Sequence, residues 1–186
     1  MHRLTHSLES ILRDRGIDPA AFNWLESEAM PEPYRQLLAH KSDMTSTLAR
    51  FHESEIGLEV LVEENDSTEY CREVILVAKR SGKPVEYGAI QIQLGAFPDK
   101  EKQLIIEGKQ PLGGILNQIG CPYTSSPHGY FSVVAPEICH KWFGCPSGAT
   151  LFGRYNRLSD ADGRELASIV EILPSADSRI DYERDG

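Results

Sequence analysis

The sequence predicts an α+β fold, an antiparallel sheet of six strands preceded by helices. Two patterns carry that reading. Over roughly the first 50 residues apolar side chains recur at helical spacing, and from about Ile56 they switch to period two in six separate runs. In addition, the strand runs do not alternate with helices as they would in a parallel sheet, so they should pair antiparallel, with the helices concentrated before them.

Taken in order, Leu4, Leu8, Ile11 and Leu12 mark a first helix that stops at Gly16. Asp18 followed by Pro19 reads as an N-cap and a first helical position, opening a second helix that carries Phe22, Trp24 and Leu25. A third is expected from Pro31 or Pro33, with Tyr34, Leu37 and Leu38, and SDMTSTLARFH follows as a loop or short helix. GLEVLVEE, TEYCREVILVAKR and PVEYGAIQIQLGAF read as strands, the last two joined by a compact connection at Ser81-Gly82-Lys83. A short helix is expected from Pro111-Leu112-Gly113-Gly114 through Asn117. CPYTSSPHG reads as turns, and YFSVV, ATLFGRYNRL and LASIVEILP complete the sheet. A chain of 186 residues buries about 70% of its unfolded surface in one core, so residues 1–176 are expected to form a single domain and 177–186 a polar tail.

A composition of 40% hydrophobic and 25% charged residues is that of a globular protein. The formal net charge of −9 argues against nucleic acid or an anionic membrane as partner, because both are held by fields of Lys and Arg. An anionic small molecule needs only a local cluster of cations. The N-terminus lacks a secretory apolar core and no window approaches a membrane span, so a cytoplasmic protein with reduced Cys71, Cys121, Cys139 and Cys145 is expected. Those cysteines with His128 and His140 have metal-ligand atom types but no zinc-site spacing, and neither a metal nor a cofactor is expected. TSSPHG lacks a hydrolase elbow, and GKQPLGG lacks the order of a phosphate-binding loop.

Chemistry is suggested by ionisable groups in strand interiors. Alternation in LASIVEILP puts Glu171 among Ala167, Ile169 and Leu173 with an apolar opposite face, so Glu171 should be buried. The same rule groups Arg72 with Tyr70, Val74 and Leu76. Each buried charge needs a counter-charge, a ligand or, for Glu171, a proton. Either the two pair with each other, or they face a closed cavity where Arg72 holds a substrate carboxylate and Glu171 exchanges hydrogen bonds or protons. Arg154 and Arg157 are three apart in LFGRYNRL, so a regular strand turns only one of them to that cavity.

The ordered blocks SDMT, YCREVIL, KPVEYGAI, QPLGGIL, LFGRYNRL and SIVEILP resemble the chorismate pyruvate-lyase family, and more closely its lyase-like branch outside the ubiquinone pathway, over about residues 35–174. The resemblance implies a monomeric α+β fold with a six-stranded antiparallel sheet and a buried ligand site under helix-turn flaps. It further implies removal of pyruvate from chorismate, or a close enol-ether analogue, to leave a hydroxybenzoate, chiefly 4-hydroxybenzoate, with no cofactor. By position in the motifs it places the carboxylate-binding arginine at Arg72 and the strand-end glutamate at Glu171. The methionine of the loop at the site's mouth falls on Met44, the glycine approached by the ligand on Gly88, and the proline-leucine-glycine contact on Leu112. Two departures are Ala89, where the ubiquinone-pathway enzymes have arginine, and Glu86 at an apolar position. A second carboxylate clamp would then come from Arg154 or Arg157.

The expectation is thus a carbon–oxygen lyase, with Arg72 and Glu171 as catalytic residues and Met44, Gly88, Leu112 and Arg154 as substrate-binding residues, acting on a small anionic aromatic or enol-ether acid. The alternative is a non-catalytic binder of an aromatic acid, an effector or sensor domain of the same fold. No helix-turn-helix is evident among the N-terminal helices.

Overall fold

A computed structural model describes residues 3–66, 68–146 and 148–175. The tail expected at 177–186 lies outside them. The architecture is α+β with an antiparallel sheet, as expected, but the sheet has seven strands instead of six, in the order β1-β5-β6-β7-β4-β3-β2. Helix α1, His6–Asp14, is capped by Thr5, whose hydroxyl accepts from the Leu8 amide, and it buries Leu8 and Leu12.

The added strand sits where a second helix was expected. Asp18 does cap, accepting from the Ala20 amide at 3.0 Å, and Pro19 does follow, but only one 3₁₀ turn forms, over Pro19–Ala21. The chain then extends into β1, Asn23–Leu25. In an extended chain Phe22 and Trp24 share a face. Phe22 stacks on Phe131 at 3.9 Å between ring centroids and Trp24 meets the same ring edge-on at 5.5 Å. A helix would have separated the two rings, so aromatic packing overrides the local start signal.

Helix α2, Tyr34–Leu38, begins directly after Pro33. Helix α3, Met44–Phe51, is capped by Asp43, whose carboxylate accepts from the Ser46 amide at 2.8 Å. Three strands follow, β2 over Ile56–Asn65, β3 over Glu69–Ala78 and β4 over Lys83–Gln93, with Gly82 at φ +70° in the β3–β4 turn. Helices α4, Asp99–Ile106, and α5, Leu112–Gln118, come next. The stretch expected as turns is the first half of β5, Tyr123–Val134. A register shift between Pro127 and Gly129 takes up the proline that would otherwise break the ladder. Helix α6, Glu137–Phe143, precedes the last hairpin, β6 over Thr150–Asp160 and β7 over Glu165–Leu173.

Both faces of the sheet are covered. On one, α1, α6 and the β1 aromatics pack against Ile75, Tyr87, Val170 and Ile172. On the other, α2 and α3 pack on Val74, Leu76 and Leu173, and α5 packs on Ile90, Leu158 and Ala167. The β2 edge is the exception: Val60, Leu61 and Val62 are exposed beside Glu59, Glu63 and Glu64, and the pairing register slips between Val60 and Val62. Among the described residues no helix is long and apolar enough to cross a membrane.

Candidate functional site

The site is laid out by strand register. Across β3, β4, β7, β6 and β5 the paired residues Val74, Gly88, Glu171, Arg154 and Tyr130 form one row. One step along the strands, on the same face, a second row holds Arg72, Ile90, Ile169 and Asn156. One step the other way, Leu76 pairs with Glu86. Gly88 contributes no side chain to the middle row, and Val74 Cγ2 and Glu86 Oε1 close over it, 3.1 Å and 3.5 Å from where a Cβ would stand. Over these rows lies a cavity of about 80 Å³, bounded above by Asp43, Met44 and Thr45 at the head of α3 and by Pro111, Leu112 and Gly113 at the head of α5. That is several times the roughly 10–15 Å³ that one water requires.

All six residues named from the sequence line this cavity: Arg72, Glu171, Met44, Gly88, Leu112 and Arg154. Arg154 is the arginine turned inward. Arg157 lies on the other face, where it donates to the Tyr155 hydroxyl at 3.1 Å. The pairing among the charges differs from both expected arrangements. Glu171 pairs with Arg154, its neighbour in the row, and not with Arg72.

Arg154 is fully buried. Its Nε donates to Glu171 and its Nη1 to the carbonyls of Leu38 and His40, each at 3.0 Å, while Nη2 has no hydrogen-bond partner. Burial works against its charge, but the Glu171 carboxylate outweighs burial and raises its proton affinity. His40 is pushed down by burial and by the Arg154 charge. Its contacts suit a neutral ring, with Nε2 donating to the Leu37 carbonyl at 2.7 Å and Nδ1 accepting from the Ser42 amide at 3.2 Å.

Arg72 is 2% exposed and is held differently. Only its Nη2 is engaged, by the Gln110 carbonyl at 2.9 Å, and Nε and Nη1 have no hydrogen bond. Its guanidinium carbon lies 5.9 Å from the Tyr70 ring centre. Burial lowers its proton affinity. Tyr70 donates to Glu63 at 2.6 Å, and burial pushes its phenol up to about 12. Glu86 is buried, its Oε2 has no partner, and burial together with the Glu171 charge holds its carboxyl well above the usual carboxylate range, with Arg154 opposing.

Asn156, Ser125 and Tyr123 complete the lining without having been singled out from the sequence. Asn156 and Ser125 hydrogen-bond each other at 3.0 Å, so they form a closed pair. Glu86 had been noted only as a departure, although alternation in VEYGAI puts it on the face of Gly88 and Ile90. Among the described residues no three His, Cys, Asp or Glu side chains gather to hold a metal ion.

A floor of antiparallel strands and a roof of two helix heads enclose the buried guanidinium, and solved structures share this fold. PhnF from Mycobacterium smegmatis superposes with a TM-score of 0.58 at 11% identity, over 74% of this chain and 65% of that one. The effector domain of the same protein gives 0.55 at 10% identity, over 71% and 88%. The ligand-binding domain of a GntR-family transcriptional regulator from Bordetella bronchiseptica gives 0.51 at 12%, over 65% and 86%, and YydK from Bacillus subtilis gives 0.54 at 10%, over 92% and 85%. This chain therefore spans just under two thirds of the length of PhnF. No family model and no curated protein matches the sequence.

The expectation of an enzyme is corrected by these neighbours. The fold is consistent with the chorismate lyase-like class, but the structures that share it are regulator effector and ligand-binding domains, so the assignment as a lyase releasing pyruvate from chorismate or an enol-ether analogue is withdrawn. The site gives a physical reason in the same direction. Glu171, assigned to steer a proton, is committed to Arg154 by an ion pair and does not stand free toward the cavity.

Proposed function

We propose that residues 1–176 form a single ligand-binding domain, an effector or sensor module that holds a small aromatic carboxylic acid without converting it. One observation carries this reading: Arg72 presents Nε and Nη1, buried and without partners, to an otherwise largely apolar cavity. Nε shares one edge of the guanidinium with Nη2 and Nη1 shares the other, and Nη2 gives only one of its two hydrogens to the Gln110 carbonyl, so one edge keeps the two donors that a carboxylate engages with both oxygens. Val74, Ile90, Leu112 and Ile169 offer the flat apolar walls that a ring-sized body needs. The fold shared with effector domains supports binding over turnover.

Isothermal titration of the full chain with benzoate tests this. Wild type is expected to bind one equivalent, and Arg72→Leu to lose at least about 2 kcal/mol, the lower range for a charge-assisted bidentate contact. Undiminished binding by the leucine variant, or no binding by wild type, would remove the proposal.

A further inference from the structure

We infer that Glu86 is a second recognition group of the cavity, and that the site takes an organic acid carrying a polar group at the end opposite its carboxylate. This rests on the acid-binding reading of Arg72 and adds the far end of the ligand to it. The register supplies the spacing. Arg72 pairs with Ile90 and Leu76 pairs with Glu86, so the two ionisable residues stand four strand positions apart, about 13 Å between their Cα atoms along the strand direction. Gly88 lies midway, and Glu86 Oε1 reaches back to within 3.5 Å of the place a Gly88 Cβ would take, so the carboxyl stands nearer the Arg72 row than the Cα spacing alone gives. An acid whose carboxylate engages Arg72 directs its far end toward that carboxyl.

The fold leaves one oxygen of this carboxyl unused. Glu86 is 3% exposed, its Oε2 has no partner, and the neighbouring ion pair is already complete as Arg154 with Glu171. A buried polar atom left without a hydrogen bond destabilises the empty protein, and a ligand group that reaches it removes that penalty.

Charge balance agrees. The groups facing Glu86 are Arg72 on β3, Arg154 on β6, Glu171 on β7, Asp43 at the head of α3 and Tyr123 on β5, while α5 and β2 contribute only Leu112, Gly113 and Leu58. Arg154 and Glu171 are paired with each other and the Asp43 carboxylate is turned to the Ser46 amide at the head of α3, which leaves Arg72 as the cation of the cavity without an ion-pair partner among the described residues. A monoanion neutralises it if Glu86 stays protonated, the form that burial and Glu171 favour. A protonated carboxyl both donates and accepts, which matches a primary amide or a hydroxyl, whereas a second carboxylate would add a charge beside Glu171.

Calorimetric titration of the full chain at pH 7 with benzoate and with 4-carbamoylbenzoate tests the inference. Wild type is expected to bind the carbamoyl compound at least tenfold more tightly. Glu86→Leu is expected to bring the two affinities together. Glu86→Met, unbranched and nearly the same length, repeats the test should the leucine variant fail to fold. Equal affinities in wild type, or a preference that survives in these variants, would overturn the role of Glu86 and leave the Arg72 site standing. Failure of both acids to bind wild type would overturn both.

Discussion

At the level of single residues, one glycine and one glutamate shape the cavity. Gly88 adds no side chain to the floor beside Val74 and Glu86, whereas Gly153, outside the lining, has a purely structural reason to lack one: a Cβ there would stand 2.5 Å from both the Glu171 carbonyl oxygen and Phe131 Cζ. Glu86 leaves a signature in the pH dependence of stability. Its carboxyl titrates near 4.5 when exposed in the unfolded chain and well above that when folded. Between those two values the native state binds the extra proton, so stability is lost as pH rises from 4.5 toward the folded value. Glu86→Gln, which mimics the protonated form at every pH, should match wild type in thermal midpoint near pH 4.5 and exceed it increasingly toward pH 8. A constant difference across that range would contradict a buried carboxyl of this kind.

Between elements, the two cavity arginines behave oppositely. Arg154 fastens β6 to β7 through Glu171 and both to the α2–α3 connection through the Leu38 and His40 carbonyls. Removing its counter-charge strands a fully buried guanidinium, and Glu171→Gln should cost about 3–5 kcal/mol in urea denaturation at pH 7. Arg72 keeps one hydrogen bond and two unused donors, so Arg72→Leu should cost less than about 1 kcal/mol or even stabilise the chain, while abolishing acid binding. Comparable losses from both substitutions would mean that Arg72 is structural.

This division explains what the sequence made legible. Strand alternation identified Arg72, Glu171 and the inward turn of one of Arg154 and Arg157, because period two depends only on local backbone geometry. It could not name the partner of Glu171, since pairing follows from β6 lying beside β7 while β4 separates β7 from β3, which is a property of strand order. Met44, Gly88 and Leu112 came from resemblance alone, and all three line the cavity. The helix expected where β1 lies failed for a related reason. Asp18-Pro19 is a genuine start signal, but Phe131, far away in sequence, decides the conformation of Phe22 and Trp24.

For the molecule as a whole, the proposed acid-binding site lies inside a chain of formal charge −9. The exterior repels the expected ligand over distances that salt screens, whereas the contact with Arg72 is sheltered from ions by burial. Raising the ionic strength from 0.05 to about 0.5 M should therefore accelerate benzoate association while leaving dissociation nearly unchanged, as read by stopped-flow tryptophan fluorescence. An association rate that falls with salt would place the attracting charge on the surface.

That negative exterior also has a use at the rim of the sheet. The Val60-Leu61-Val62 stretch of β2 offers an apolar ribbon of the kind on which foreign strands accrete. The slip in its pairing spoils the flatness that stacking copies would need, and Glu59, Glu63 and Glu64 make any approaching duplicate repel itself. Replacing those three glutamates by glutamine would strip away the second guard and leave only the first, so that variant is the form of this protein most exposed to fibrous self-assembly.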